Sequence, residues 1–463
     1  MDGPPVNLTP EGLLARISEL EAEIGRLRAE NERLTLELAA ARKDSSNSSK
    51  PPSSDIVKPP SAGGQGKRRI GGQPGHTPHF RQPFAPDQID ESYVFDPPSM
   101  SCTCGGELTP CPLEDHVQQQ IDLPEQPLVH REYRARSYRC SSCGIRRRGK
   151  LPRPVRREGY IGNRLAAGLS FLNVKAHASY SALADLVENV FGEPVSRGQI
   201  AKTFRRMSAA LETPYQEALE RLRSEPVRHI DETGHREGGK RHWTWVFRGN
   251  DFTVFHIDKT RSAEVLKAIL GPDFDGTINC GYLSSYRKYL KGTGGPAQFC
   301  LAHFIRDIRF LKEHPQPETK RYAERSLKAV RQVFEIYHRL RANPGHDRLE
   351  LVEAGEKLRQ AMLDAPPERK AQNLAQRFRD NGDSYLRFSH HPEIEPTNNR
   401  AEQAIRPVVI NRTVSQGTRS PVGRNYKARM WTAIATCAQR GVSAFKYLLD
   451  ALKLHTNPAT EPP

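Results

Sequence analysis

Apolar residues recur near the start of the chain at spacings that alternate between four and three. The d positions of this heptad pattern hold Leu13, Leu20, Leu27 and Leu34, and the a positions hold Ile17, Ile24, Asn31 and Leu38. Isoleucine at a, leucine at d and one asparagine at a favour a parallel two-stranded coiled coil. Residues 1–42 are therefore predicted to form a leucine zipper that makes a homodimer. A single amphipathic helix packed on its own chain is the alternative.

The apolar pattern then disappears. Residues 43–95 are rich in Ser, Pro, Gly and basic residues and carry few large apolar side chains. Such a segment buries too little apolar surface to offset the entropy cost of ordering it. It is predicted to be a disordered basic linker, and residues 451–463 are predicted to be a disordered tail.

Helical periodicity returns in residues 159–224. The segment SALADLVENVFG is followed by Gly192-Glu193-Pro194 and by a second helix, for which Ser196 is a suitable N-cap. This arrangement resembles a helix-turn-helix DNA-binding region, although two helices paired for structural reasons are the alternative. The residues expected to contact DNA are Arg197, Lys202, Arg205 and Arg206.

From residue 226 the pattern changes to strands. PVRHIDE, HWTWVFRG and FTVFHIDKT are rich in β-branched and aromatic residues and are separated by glycine-containing turns. A helix, SAEVLKAILG, and a fourth strand, GTINCGY, follow. This order matches the beginning of a ribonuclease-H-like α/β core in residues 225–450, with an all-helical insertion over about 300–393. The predicted fold class is multidomain α+β.

Composition and charge narrow the range of possible functions. The 463 residues carry 70 Lys and Arg against 54 Asp and Glu, a net charge of +16, and only 36% are hydrophobic. A basic chain favours a polyanionic partner such as double-stranded DNA. No apolar run is long enough to span a membrane, and no signal peptide is visible, so a cytoplasmic, nucleoid-associated protein is expected.

Four of the eight cysteines form two close pairs in residues 96–158. Cys102 with Cys104, and Cys140 with Cys143, resemble the ligands of a zinc-ribbon-like domain holding structural Zn²⁺. Cys111 is an alternative ligand, and four free thiols are the alternative to a metal site. The surrounding segment Arg131–Glu158 holds eleven basic residues against two acids, a composition typical of phosphate binding.

Two acids are candidates for catalysis. Asp231 lies in the first predicted core strand, and Glu402 lies near the start of a helix within a strongly basic segment. In two-metal phosphoryl transfer, carboxylates hold divalent ions that activate the attacking oxygen and stabilise the leaving oxygen. Hard oxygen ligands suit Mg²⁺ or Mn²⁺.

Six motifs in order carry a family resemblance. NSSKPPSSD, GGQPGH, HIDETG, NCGYLSSYRKY, QFCLAHFIRDIRFL and PTNNRAEQAIRPVVINR, together with the paired cysteines, resemble the insertion-sequence-66 family of bacterial DDE transposases. The resemblance implies a metal-dependent enzyme that cuts transposon ends and joins them to target DNA, with accessory proteins as further partners. Asp231 matches the first family acid and Glu402 the last.

The central acid of that family is absent from the matching position of this sequence. Gly281 occupies the place where the family has an aspartate, and the first cysteine pair is shorter by one residue than the usual C-x-x-C. We therefore expect a catalytically impaired copy. The alternative is a non-catalytic, dimeric DNA-binding protein that occupies transposon ends. A zinc hydrolase using His229, His235 and Asp231 is a weaker reading, because no H-E-x-x-H-like spacing accompanies them.

Other family-matched positions carry further expectations. His303 is expected either to touch metal or phosphate or to be a hydrogen-bonded structural residue, and Asn398 or Asn399 is expected to cap the helix that bears Glu402. The basic residues expected to hold the DNA backbone here are Arg400, Arg406, Arg412 and Arg419.

Overall fold

The computed structural model describes residues 9–41, 82–109, 116–343 and 347–457. Most of the predicted linker, the last six residues of the predicted tail and Cys111 lie outside these ranges. The chain falls into two compact units, one made of Met1–Pro59 with Tyr133–Pro463 and the other of Pro60–Glu132. The described residues contain no helix both long and apolar enough to cross a membrane.

The first element is helix α1, Pro10–Ala41. Its heptad residues other than Asn31 are apolar and remain 46–52% exposed: Leu13, Ile17, Leu20, Ile24, Leu27, Leu34 and Leu38. Intrahelical ion pairs such as Arg26 with Glu23, three residues apart, line the flanks. The single chain therefore leaves the whole apolar seam of α1 largely open.

A helical layer precedes the central sheet. It follows a hairpin of β1 (Ser137–Arg139) and β2 (Arg146–Arg148). The helices are α2 (Arg153–Glu158), α3 (Asn163–Lys175), α4 (Tyr180–Phe191), α5 (Arg197–Ala210) and α6 (Glu212–Leu222). Gly192 ends α4 with a φ of 73°, and Ser196 begins α5. The hydroxyl of Ser196 accepts from the N–H of Gln199 while the Gln199 side chain accepts from the N–H of Ser196, which confirms the predicted N-cap.

The central sheet has five strands in the order β5-β4-β3-β6-β7. They are β3 (Val227–Glu237), β4 (Lys240–Arg248), β5 (Thr253–Asp258), β6 (Thr277–Cys280) and β7 (Ala297–Phe299). The first three pair antiparallel, and β6 and β7 join in parallel after the helices α7 (Ala263–Leu270) and α8 (Ser284–Thr293). The sequence analysis found four of these strands and missed β7, which has only three residues.

Aromatic residues cover both faces of this sheet. On one face Trp245 of β4 contacts Tyr286 of α8, with ring centroids 6.0 Å apart. On the other face Phe255 of β5 contacts Trp431 at 5.9 Å, in a helix near the C-terminus. Side chains alternate between faces along a strand, so each residue of β3 can be assigned to one of these two layers.

Helices make up the rest of the chain. The segment after β7 contains α9 (Leu301–Leu311), α10 (Pro317–Ala342), α11 (Leu349–Leu363) and α12 (Arg369–His390), and its described residues include no strand. The final helices are α13 (Asn399–Ser415), α14 (Pro421–Gln439) and α15 (Ala444–Thr456). Leu452 is fully buried in α15, so the ordered chain extends to Thr456, beyond residue 451 where the sequence predicted a tail.

Candidate active site and nucleic-acid interface

Asp231 lies in the middle of the sheet, on the face covered by α13 and α14. Its cross-strand partner is Val246, and Val246 in turn pairs with Phe255, which packs on α14. Two residues further along the same face, the hydroxyl of Thr233 accepts a hydrogen bond of 3.0 Å from Arg412 of α13. Asp231 therefore faces the layer that contains α13.

The segment before α13 is held by two strands and by the start of α9. The side chain of Asn279 in β6 donates to the carbonyl of Glu395 at 2.7 Å, and the N–H of Leu301, just after β7, donates to the carbonyl of Pro396 at 2.9 Å. The amide of Asn398 donates to the carbonyl of Ile230 in β3, also at 2.7 Å. These bonds fix the start of α13 against the sheet. One of them ends at Ile230, the residue that precedes Asp231.

This geometry corrects one expectation. Asn398 occupies the N-cap position of α13, but its side chain makes no capping hydrogen bond. The amide is instead committed to Ile230, at a site where both residues are buried. Asn398 therefore positions the first turn of α13, which contains Glu402, by anchoring it to β3 rather than by capping the helix.

The two candidate acids influence each other electrostatically. Burial raises the pKa of Asp231 well above its ordinary value, and the charges of Glu232 and Glu402 raise it further. Burial also raises the pKa of Glu402, although Arg306 and Arg406 act in the opposite direction. Two neighbouring carboxyls with raised pKa values favour either a proton or a cation. Their hard oxygen atoms fit a divalent ion such as Mg²⁺.

Gly281 directly follows Cys280, the last residue of β6. Parallel pairing joins Val227 to Thr277 and His229 to Asn279, and continuing it by two residues brings Gly281 opposite Asp231. A Cβ atom added to Gly281 would meet no heavy atom within 4 Å, and the backbone there is not left-handed. Gly281 therefore has open space for a side chain.

Glu232, although adjacent, does not replace that acid. Its carboxylate accepts hydrogen bonds from Arg261 and from the hydroxyl of Tyr286, on the opposite face of the sheet. Cys280 belongs to this second face as well, because it follows Asn279 in β6 and the Asn279 side chain contacts the segment before α13 on the other face. Both groups are thus turned away from Asp231 by the alternation of the strands.

Three residues of one motif surround Glu402. Cys300 immediately precedes α9, and His303 and Arg306 lie on its first turns. The Nδ1 atom of His303 is 3.6 Å from Oε1 of Glu402, and the guanidinium of Arg306 is 3.8 Å from the same oxygen. Sequence reasoning singled out His303 but missed Cys300 and Arg306. The i, i+3 spacing of the three residues was the available signal.

One metal-capable group of three residues occurs among the described residues, and it consists of Cys300, His303 and Glu402. It contains neither His229 nor His235. Burial lowers the pKa of both of those histidines to about 4, and His235 lies 3.1 Å from the hydroxyl of Thr418. Both histidines are buried and lie outside the metal-capable group, so the structure gives no support to the zinc hydrolase interpretation.

The basic residues predicted to contact DNA fall into two groups. Five are exposed: Arg197, Lys202, Arg205, Arg406 and Arg419. The other three make contacts within the chain: Arg206 with the carbonyl of Ile161, Arg400 with the carboxylate of Glu395, and Arg412 with Thr233 and Gly234 of β3. The charged groups of the five exposed residues are therefore accessible to solvent.

Each cysteine pair lies in a tight turn of its own compact unit. The N–H of Cys102 donates to the carbonyl of Gly106, and hydrogen bonding by Cys104 lowers the pKa of the Cys102 thiol. In the hairpin of β1 and β2, the N–H of Cys143 lowers the pKa of Cys140 in the same way. Thiols with lowered pKa values suit metal binding. A shared four-cysteine zinc site remains a prediction.

Comparisons with known proteins identify the family. Residues 8–82 match a family of unknown function (DUF6444). No curated protein matches the chain. Residues 158–426 match the transposase IS66 family, a range that includes Asp231, Gly281 and Glu402. Because this match covers more than half of the sequence, the chain belongs to the IS66 family of transposases.

Proposed function

We propose that this protein is a DDE-type DNA transposase whose catalytic carboxylate set is incomplete, so that it binds transposon ends but cleaves and joins DNA poorly. Asp231 and Glu402 would hold the catalytic ion, Mg²⁺ or Mn²⁺. When bound, that ion supplies activation of the attacking oxygen and stabilisation of the leaving oxygen. The strand order β5-β4-β3-β6-β7, with one acid on β3 and the other on α13, supports a ribonuclease-H-like core.

The observation that carries this proposal is the place of Gly281. Extending the parallel register of β3 and β6 by two residues would place it opposite Asp231, and it has room for a side chain. Glu232 is bound to Arg261 and Tyr286 on the other face, so the catalytic face keeps two carboxylates. Two carboxylates would hold a divalent ion more weakly than three. A two-metal site would also lack the acid that the two ions share.

The test is to restore the acid. Gly281→Asp is expected to gain divalent-ion-dependent cleavage and strand transfer on the element's own terminal DNA, and the double variant Gly281→Asp/Glu402→Ala is expected to lose it. Gly292→Asp is the matched control, because Gly292 is an exposed glycine that also has open space for a side chain. Full activity of the unaltered protein would refute the proposal, since another residue would then supply the missing ligand.

DNA binding is proposed to use the exposed basic residues. On α5 they are Arg197, Lys202 and Arg205, while its apolar residues such as Phe204 pack inward. Phosphate contacts of this kind release counterions, so affinity for double-stranded DNA is expected to fall steeply as salt increases. The paired cysteines are proposed to hold structural Zn²⁺, and accessory proteins are proposed as further partners.

A second candidate function is a non-catalytic DNA-binding dimer that occupies transposon ends. The exposed seam of α1 favours a dimer, because an apolar stripe of this length is normally buried in a partner helix. The restoration experiment separates the two candidates. If the unaltered protein and Gly281→Asp both bind ends tightly and neither cleaves them, the non-catalytic function is favoured.

A further inference from the structure

Cys300, His303 and Glu402 bring three different kinds of metal ligand together. One sulfur, one nitrogen and one oxygen atom of this trio lie within 4.8 Å of one another. The trio joins the starts of two helices, since Cys300 immediately precedes α9, His303 lies in the first turn of α9 and Glu402 lies in the first turn of α13. The thiol is buried and the other two residues are half-buried, so the trio lies just below the surface.

The donor chemistry selects a particular class of ion. A thiolate is a soft ligand and imidazole suits zinc, whereas Mg²⁺ and Mn²⁺ prefer carboxylates and water. An ion that binds here displaces the proton of the Cys300 thiol, because burial raises the pKa of that thiol to about 11 even though the N–H of Asn398 donates to the sulfur at 3.2 Å.

The dimensions are close to those of a zinc site. With Zn–S near 2.3 Å and Zn–N and Zn–O near 2.0–2.1 Å, tetrahedral ligand atoms lie roughly 3.3–3.8 Å apart. His303 and Glu402 already meet this range at 3.6 Å. The trio therefore needs side-chain movements of about 1 Å at most to enclose an ion. Three protein ligands would leave a fourth position for water.

We propose that Cys300, His303 and Glu402 form a binding site for Zn²⁺ or a similar thiophilic divalent ion, which competes with Mg²⁺ for Glu402. Binding at this site holds the Glu402 carboxylate against α9, where its Oε1 atom already lies 3.6 Å from His303, and makes it unavailable to Mg²⁺. Only the competition with Mg²⁺ rests on the proposed function. The binding of a thiophilic ion does not.

The first test measures metal binding directly. Co²⁺ replaces Zn²⁺ in such sites and gives a thiolate-to-metal absorption band, so the full-length chain is titrated with Co²⁺ and the bound equivalents are counted. The paired cysteines contribute equally to all variants. We expect Cys300→Ser and His303→Gln each to bind one Co²⁺ fewer than the unaltered chain, or to bind it at least about tenfold more weakly.

Cys437→Ser is the matched control, because Cys437 is another buried cysteine and lies on α14. It is expected to bind as many Co²⁺ ions as the unaltered chain. His303 is partly exposed, so its substitution tests the site even if Cys300→Ser fails to fold. Equal Co²⁺ binding by His303→Gln and the unaltered chain would overturn the proposal.

A second test addresses the competition. In the Gly281→Asp background, Zn²⁺ is expected to inhibit Mg²⁺-dependent cleavage, and adding Cys300→Ser is expected to weaken that inhibition at least about tenfold. Inhibition unchanged by Cys300→Ser would overturn the competition. If Gly281→Asp is inactive, the proposed function fails while the cobalt titration still decides whether the site exists.

Discussion

The anchoring of Glu402 by Asn398 leads to a prediction with a defined size. Asn398→Ala removes the 2.7 Å hydrogen bond from the Asn398 amide to the carbonyl of Ile230, and both residues are at most 1% exposed. A buried polar group that loses its partner costs about 1–3 kcal/mol, because water cannot replace the lost bond. The neighbouring Asn399 is exposed, so Asn399→Ala is the matched control and is expected to change stability by less than about 0.5 kcal/mol.

Urea unfolding followed by tryptophan fluorescence measures this difference. Of the three tryptophans of the chain, Trp245 on β4 and Trp431 on α14 are buried, and Trp243 on β4 is partly buried against the core. If the urea dependence of the unfolding free energy is about 3 kcal/mol per M, the midpoint should fall by roughly 0.3–1 M in Asn398→Ala.

Activity provides the second readout for Asn398. In the Gly281→Asp background, displacing the first turn of α13 by about 1 Å is expected to lower cleavage on the order of 100-fold, because the Glu402 carboxylate leaves its productive position. Asn399→Ala should retain activity. If Asn398→Ala matches Asn399→Ala in both stability and cleavage, the anchoring role is refuted.

Three other residues support predictions that use simpler assays. Asp231→Asn is expected to stabilise the metal-free protein at pH 7. The pKa of Asp231 is raised in the folded state, so the unaltered protein loses stability as the pH rises above the ordinary value of 3.8. Thermal unfolding in EDTA measures this difference, and a variant less stable than the unaltered protein contradicts it. Burial lowers the pKa of Lys427 to about 8. Between pH 8.5 and 10 the free energy of unfolding of the unaltered protein should therefore rise by about 2 kcal/mol relative to that of Lys427→Met, as measured by urea unfolding. A difference that stays constant across this pH range contradicts the burial of Lys427. Leu27→Lys should halve the mass measured by light scattering, whereas Ala29→Lys, outside the seam, should not.

Local sequence patterns determined many elements of this protein. The heptads predicted helix α1, the Ser196 cap predicted the start of α5, and alternating β-branched and aromatic residues located β3, β4 and β5. These features depend on neighbours within a few positions, where helix and strand periodicities act. The motifs also identified the family, and both Asp231 and Glu402 were found from them.

Only the tertiary structure decided which distant groups meet. Asn398 donates to Ile230 across 168 positions of sequence and to the sulfur of Cys300 across 98, and no local pattern encodes either contact. The sequence suggested a cap for Asn398 because asparagine commonly caps helices, yet the buried carbonyl of Ile230 takes its amide. The ligand trio at Glu402 likewise exists because the start of α9 is joined to the segment before α13 by the hydrogen bond from the N–H of Leu301 to the carbonyl of Pro396, and the burial that shifts its pKa values arises only in the folded chain.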